Sequence, residues 1–389
     1  MRSTTRRARP SARPTHRKLT RTGLLAALAV VLAACSGEQS MLDPAGEFAR
    51  KPDNLFMLTF WIAVAVFVLV QGLIIYTAVR YRAKDGDDSL PVQTHGNTRL
   101  EIFWTVVPAL ILAGIAVPTI QQIFDLAEER DGSVEIEVIG HRWWWEYRYP
   151  GTGIVTANEL VMPVDTPVRL SMTAEDPASG TGVLHSYWIP ALAGKQDVIP
   201  GRVVNLNMQA DETGRYLGQC AEYCGLSHAN MRNRAVVLEQ DEFEQWLVDQ
   251  QAPAAEPEPG TLAADGRDLF FGNEDEGVEQ LSCVGCHNIR TQQADGDTTV
   301  SSMTGPDLTH LMSRKEFAGA IFDLYNREDP DDPNSAFTDE VNVEQLRAWV
   351  ENAPEQKAMR PELGYSMPSF TNLSDEQLDA LVAYLTTLE

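Results

Sequence analysis

Two apolar runs, residues 55–79 and 102–124, constrain this chain more than any other feature. At 1.5 Å per residue each can cross a hydrocarbon core of about 30 Å, which predicts two membrane helices, the second with Pro108 and Pro118 inside it. The segment between them carries Arg80, Arg82, Lys84 and Arg99, and cationic flanks favour the cytoplasmic side. A transmembrane hairpin over 50–126 is therefore expected, with everything after it outside.

Ahead of the hairpin, residues 1–34 have an arginine-rich start and then GLLAALAVVLAA, too short to span comfortably and right for an export signal. LAAC at 32–35 resembles a lipoprotein signal, which would leave Cys35 as a lipidated N-terminus; ordinary cleavage with an incidental Cys35 is the alternative. The 389 residues carry a formal charge of −24, and the first 34 contribute eight Arg and Lys but no Asp or Glu. The remainder is more acidic still, which argues against nucleic acid as a partner. The other cysteines, Cys220, Cys224, Cys283 and Cys286, form two ligand-like pairs rather than a disulfide framework.

The first pair lies in CAEYCGLSHANM, residues 220–231, with Glu222, His228 and Met231. Thiolate, imidazole and thioether suit copper, whereas magnesium, calcium and manganese prefer oxygen. A structural zinc would make poor use of Met231, and a disulfide would leave Glu222, His228 and Met231 unexplained. Upstream, LHSYWIP supplies a further imidazole, His185, at an apparent strand end. Short apolar runs such as VEIEVIG, PVRLSM and RAVVLEQ recur between Gly, Pro and Asp breaks over 131–249, which predicts an antiparallel sandwich or barrel. Within GHRWWWEYRY, Trp144 and Trp145 are expected to fill the core or cover its mouth, and His141 to be a satisfied structural histidine.

QQAPAAEPEPG, residues 250–260, reads as an extended spacer. Beyond it, 261–389 holds CVGCH: two thiols that can add to haem vinyls beside His287, an imidazole that can take an axial position. A zinc or redox pair is the rival there. GYSMPSF offers Met367 as the opposite ligand, Met359 is the rival, and a closing helix is expected over 375–388. The acidic insertion 328–340 has no role legible in the sequence.

His185, Cys220, Glu222, Cys224, His228 and Met231 together resemble the dinuclear copper (CuA) site of cytochrome c oxidase subunit II. The resemblance implies a cupredoxin-like domain in which both sulfurs bridge two coppers, each histidine binds one, Met231 binds weakly and Glu222 binds through its carbonyl. It further implies electron entry at Trp143, a magnesium held by the Glu222 carboxylate, and proton entry at Glu101. The alternative for Glu101 is an interfacial carboxylate favoured at a helix N-terminus. DGRDLFFG and GPDL resemble segments of an all-α class I cytochrome c, with the proline carbonyl orienting the axial histidine. The whole then resembles subunit II of a caa-type oxidase, a bacterial plasma-membrane protein with both cofactor domains outside. Implied partners are subunit I, subunit III and an external donor, either a cytochrome c or the preceding respiratory complex. The alternatives are the equivalent subunit of a copper-containing nitric oxide reductase and a membrane-anchored copper-binding or copper-delivery protein. Residues 131–250 hold 8 Arg and Lys against 17 Asp and Glu, and 261–389 hold 8 against 25. Free domains are therefore expected to repel, with the tether replacing steering by an effective concentration on the order of millimolar.

Overall fold

The computed structural model describes residues 39–82, 86, 93, 95–175, 182–272, 282–291, 304–332, 335–363 and 366–389. The expected export signal, Cys35 and Lys84 lie outside them.

Two helices, α1 (Glu47–Arg80) and α2 (Thr98–Ala127), are long and apolar enough to cross a membrane. Helix α1 starts well before its apolar run because its first turns pack on protein: Phe48 and Ala49 are buried. A Cβ at Gly46 would lie 1.8 Å from the Gln209 carbonyl, so only glycine lets the chain pass there. Arg50 pairs with Asp211, and Lys51 bridges Glu47 and Asp125 at 2.6 and 2.5 Å. At the other end Asn207 donates to the carbonyls of Leu126 (3.0 Å) and Glu128 (2.8 Å), satisfying groups that end α2. Asn97 caps the start of α2, accepting from the backbone N–H groups of Arg99 and Leu100, and Glu101 sits in its exposed first turn.

The next ten strands are β1 (Val134–His141), β2 (Trp144–Tyr149), β3 (Ile154–Ala157), β4 (Glu159–Pro163), β5 (Val168–Ala174), β6 (His185–Trp188), β7 (Gln196–Val198), β8 (Val204–Met208), β9 (Gly214–Cys220) and β10 (Arg232–Leu238). They form two five-stranded sheets, ordered β3-β2-β1-β5-β8 and β4-β10-β9-β6-β7. Most neighbours pair antiparallel, as expected, but β1 pairs parallel with β5 and β10 with β4. The chain changes sheets between consecutive strands, so strands distant in sequence become neighbours. Strand β5 shows the driving pattern: Val168, Leu170, Met172 and Ala174 are buried while the residues between them are only half-buried. Trp145, Tyr147, Leu160 and Met162 complete a core with almost no exposure. Helix α3 (Gln240–Asp249), opened by a Glu239/Glu242 capping box, closes this domain with Phe243 inward.

The residues after α3 are held against the last domain. Ala254 is buried and its N–H donates to the Arg290 carbonyl, while Gln250 donates to Ser313. The last domain contains α4 (Leu262–Phe271), α5 (Val343–Gln356) and α6 (Asp375–Leu385). It is not wholly helical: β11 (Glu316–Phe317) pairs with β12 (Phe322–Asp323), and β13 (Tyr325–Arg327) with β14 (Phe337–Val341). The acidic insertion supplies most of β14 in the second hairpin, where Phe337 lies under the guanidinium groups of Arg327 (4.1 Å) and Arg215 (5.6 Å). Helices α4 and α6 cross so closely that a Cβ at Gly266 would lie 1.9 Å from the Ala380 carbonyl. Backbone cannot yield there as a side chain could. Gly266→Ala is therefore expected to destabilise this domain by about 3 kcal/mol or more, read as a fall in its thermal midpoint; an unchanged midpoint would refute so tight a crossing.

Candidate metal centre and haem cavity

The β9–β10 ladder ends where the ligand loop begins, and the Cys220 N–H donates to the Met231 carbonyl at 2.9 Å. That bond closes the loop on itself. Strand β6 brings in His185, with Tyr187 paired opposite Cys220. Inside the loop, Cys220 Sγ lies 3.8 Å from Cys224 Sγ, 3.8 Å from His185 Nδ1 and 3.2 Å from the Glu222 carbonyl. Cys224 Sγ lies 3.7 Å from His228 Nδ1 and 3.7 Å from Met231 Sδ. Donor atoms sharing one tetrahedral ion with bonds of 2.0–2.3 Å stand about 3.3–3.8 Å apart. The six positions therefore fit metal, with the sulfurs central and the other donors split between them. Without a cation two sulfurs so close cannot both ionise: the Cys224 S–H lowers the Cys220 thiol by hydrogen bonding, and Cys220 in turn holds Cys224 up. His185 is 1 %, Met231 0 % and each cysteine 4 % exposed, which suits a retained ion rather than an exchanged one.

A second cavity, of about 960 Å³, is lined by Cys283, Cys286, His287 and Met367. The CVGCH turn is held by the N–H groups of Cys286 and His287 donating to the Cys283 carbonyl. His287 Nδ1 donates to the Pro306 carbonyl at 2.8 Å, leaving Nε2 as the ligating nitrogen, and burial lowers its pKa towards the neutral ring a metal needs. A Cβ at Gly305 would lie 2.8 Å from His287 Cε1, so glycine makes room for the imidazole. Arg314, unmarked in the sequence, also lines the cavity; its Nη2 donates to the Asp307 carbonyl, but buried Nε finds no acceptor among the described residues. A haem carboxylate is the kind of acceptor that would satisfy it. The cavity thus fits haem c. Met359 lines it too but packs against the core of the copper-loop domain, whereas Met367 does not belong to that core. Met367→Leu is accordingly expected to keep the attached haem and lower its midpoint potential, and Met359→Leu to leave it near native. Redox titration decides between the methionines, and the reverse pattern would reassign the ligand.

The two sites share a wall. Arg142, Trp143, Trp144 and Asn158, all from the sandwich, line the haem cavity. Trp143 also donates from Nε1 to the Cys224 carbonyl at 3.0 Å, so one indole touches both sites. Gly225 permits this, since a Cβ there would lie 3.1 Å from the Trp143 ring. Trp144 stacks on His141 at 4.1 Å, and Trp145 is wholly buried in the core. His141 is gripped on both ring nitrogens by Glu175 (2.5 Å) and Glu146 (3.0 Å), leaving neither for a metal. Burial opposes its charge, but the two carboxylates outweigh burial and raise its pKa.

The expected repulsion between domains is offset locally. Glu316 of the haem domain accepts from Arg234 (2.8 and 3.1 Å) and Arg215 (2.9 Å) of the sandwich, and Glu159 accepts from the backbone of Lys315 and Glu316. Net charge averages away such patches. The haem domain also seats on the ligand loop: Ser227 Oγ donates to the Ala358 carbonyl, and the Arg232 N–H to Gly319. At the same seam Lys357, 4 % exposed, donates to the carbonyls of Trp143 (2.8 Å) and Ala318 (2.7 Å). Burial pushes its ammonium pKa down to about 7, against the pull of Cys224.

Two metal-type sites joined by an aromatic side chain, on a frame bonded to two membrane-length helices, define the class: a membrane-anchored electron carrier. The description "Cytochrome C oxidase subunit II, transmembrane domain" matches residues 34–122, the periplasmic domain of the same subunit matches 152–240, and "Cytochrome c" matches 263–389. Cytochrome c oxidase subunit 2 of Alkalihalophilus pseudofirmus is 35 % identical over 373 residues, covering 94 % of this chain and 96 % of that one. The protein of that name from Bacillus subtilis (strain 168) is 29 % identical over 383 residues, with the same coverage. The periplasmic domain of subunit II of cytochrome oxidase from Bradyrhizobium japonicum, a crystal structure, is 31 % identical and covers 32 % of this chain and 96 % of its own, at a TM-score of 0.29. The chain belongs to the cytochrome c oxidase subunit II family.

Proposed function

We propose that this chain is the electron-transfer subunit of a haem–copper terminal oxidase, associated with the other oxidase subunits and anchored in the membrane with its outer domains exposed to the donor. Reduction of oxygen to water takes place on another chain, subunit I. One-electron redox chemistry comes from haem c at the CVGCH turn and copper in the ligand loop. Everything else is the work of side chains. Cys283 and Cys286 would attach the haem, His287 and Met367 would be its donor side chains, and Arg314 would meet its carboxylate. His185, Cys220, Glu222 through its carbonyl, Cys224, His228 and Met231 would hold a dinuclear CuA centre. Trp143 carries the reading, because its indole lines the haem cavity and hydrogen-bonds the backbone of Cys224. It is the entry point for electrons moving from haem to copper.

Finer assignments belong to the same proposal. Residues 131–249 are a cupredoxin-like sandwich or barrel, and 261–389 a class I cytochrome c elaborated by its two hairpins. The helices over 50–126 cross a bacterial plasma membrane twice, residues 1–34 direct export, and Cys35 is the lipidation site. The Glu222 carboxylate helps bind magnesium at the contact with subunit I; in this chain it accepts from the Tyr223 N–H at 3.1 Å. Glu101 opens a proton path into a proton-translocating complex. Subunit III completes the assembly, and a cytochrome c or the preceding respiratory complex supplies electrons. Oxidase relatives across 94 % of the chain favour oxygen over nitric oxide as acceptor. A delivery protein is disfavoured by the burial of His185, Cys220, Cys224 and Met231 and by the domain seated on the loop. Affinity purification through a tag on this chain is expected to bring down a haem–copper catalytic subunit that consumes oxygen. Co-purification of a nitric oxide-reducing subunit, or of none, would overturn the reading.

A further inference from the structure

Lys357 is an unusual residue to find in a domain seam. Its ammonium has three donors and no acceptor, so burial must be met by oxygen or by opposite charge. The structure gives it two backbone carbonyls, one on each side of the seam: Trp143 from the sandwich and Ala318 from the haem domain. Neither carries a full charge. Lys357 also lines the haem cavity, and the ionisable group that acts on it is Cys224 of the ligand loop, so it stands between the two sites. Around it the fit is close: a Cβ at Gly319 would lie 2.9 Å from Nζ and 2.5 Å from the Asn230 carbonyl. Lys357 follows directly after α5, and the next residue, Ala358, accepts from Ser227 of the ligand loop. Its position therefore depends on both domains, and theirs on it.

We infer that Lys357 is a positioning residue for electron transfer, fixing Trp143 between the two cofactor sites and placing a buried positive charge that favours the reduced state of both. This rests on the function proposed above. Hydrogen bonding alone would explain the docking. The charge, when the ammonium is protonated, adds something distinct, because a cation in the low-dielectric seam interacts more strongly with an arriving electron than a surface charge does.

Two variants of the full-length chain separate these effects. Lys357→Met removes donors and charge; Lys357→Gln removes the charge but keeps N–H donors, on a shorter side chain. Haem and copper contents are measured first: a wild-type chain lacking either cofactor would refute the functional reading, separately from the role of Lys357. With both bound, Lys357→Met is expected to slow haem-to-copper transfer at least tenfold, each electron lost by reduced haem appearing on copper, and to lower both midpoint potentials. Lys357→Gln should recover much of the rate while both potentials stay low. Unchanged potentials in Lys357→Gln would overturn the electrostatic role, and it carries that test even if Lys357→Met does not fold. A native transfer rate in Lys357→Met, or failure of Lys357→Gln to recover any of a lost rate, would overturn the positioning role.

Discussion

Cys220→Ser is expected to remove all the copper from the chain while the haem stays attached. Cys220 Sγ stands 3.8 Å from Cys224 Sγ and from His185 Nδ1, so it is the donor through which the two halves of the ligand set meet. A serine oxygen is a hard donor and a poor substitute where soft sulfur is wanted. What remains is two separated fragments, His185 on one side and Cys224 with His228 and Met231 on the other. Neither has two anionic donors. Metal analysis of the purified variant should show copper near zero and haem at one per chain, since Cys283, Cys286 and His287 belong to a different domain. Retention of one tightly held copper would mean two independent mononuclear sites and would end the dinuclear assignment.

The second large effect is expected at Glu316, which is 3 % exposed and accepts from arginines on the neighbouring domain. Glu316→Ala takes from buried Arg234 the carboxylate opposite its guanidinium, and breaking such a buried pair on one side costs about 3–5 kcal/mol. The loss should be felt chiefly between the domains, because Glu159 still holds Arg215 at 2.6 Å and Asp323 still holds Arg327 at 2.7 Å. Denaturant unfolding is therefore expected to resolve an earlier separation of the haem domain, accompanied by slower haem-to-copper transfer with both cofactors intact. A destabilisation of under about 1 kcal/mol, the range of exposed ion pairs, would show that the seam does not depend on this carboxylate. The same pairs alter the salt response expected from net charge: docking through opposite charges weakens as salt is added, whereas repelling domains would dock better.

How much of this was legible before the fold depends on how local each interaction is. The copper loop packs five of its six donors into twelve residues, and the haem thiols and His287 into five, so chemistry and spacing pointed to both. His185 could be found because a strand end stands out in sequence. Lys357, in PEQKAMR, looks like any surface lysine, and nothing near it hints at Trp143, 214 residues away. Glu316 and Arg234 are similarly 82 residues apart. Their pairing exists only once two domains have docked, which no periodicity encodes. The acidic insertion hid its hairpin for another reason: Asp and Glu disfavour strands, and the packing of Phe337 between guanidinium groups overrides that preference. Parallel pairing of β1 with β5 was equally invisible, since it follows from where the chain changes sheets.

Helix α1 is gripped by the sandwich at Gly46 and Phe48, and the last carbonyls of α2 are held by Asn207 of β8. There is consequently no elbow between the bilayer and the metal loop. In the proposed assembly, a partner packed against the two helices would set, through that continuous frame, the height and bearing of the copper loop. Because electron-transfer rates fall steeply with distance, the exit step would then be aligned when the helices assemble instead of being sought anew at each turnover.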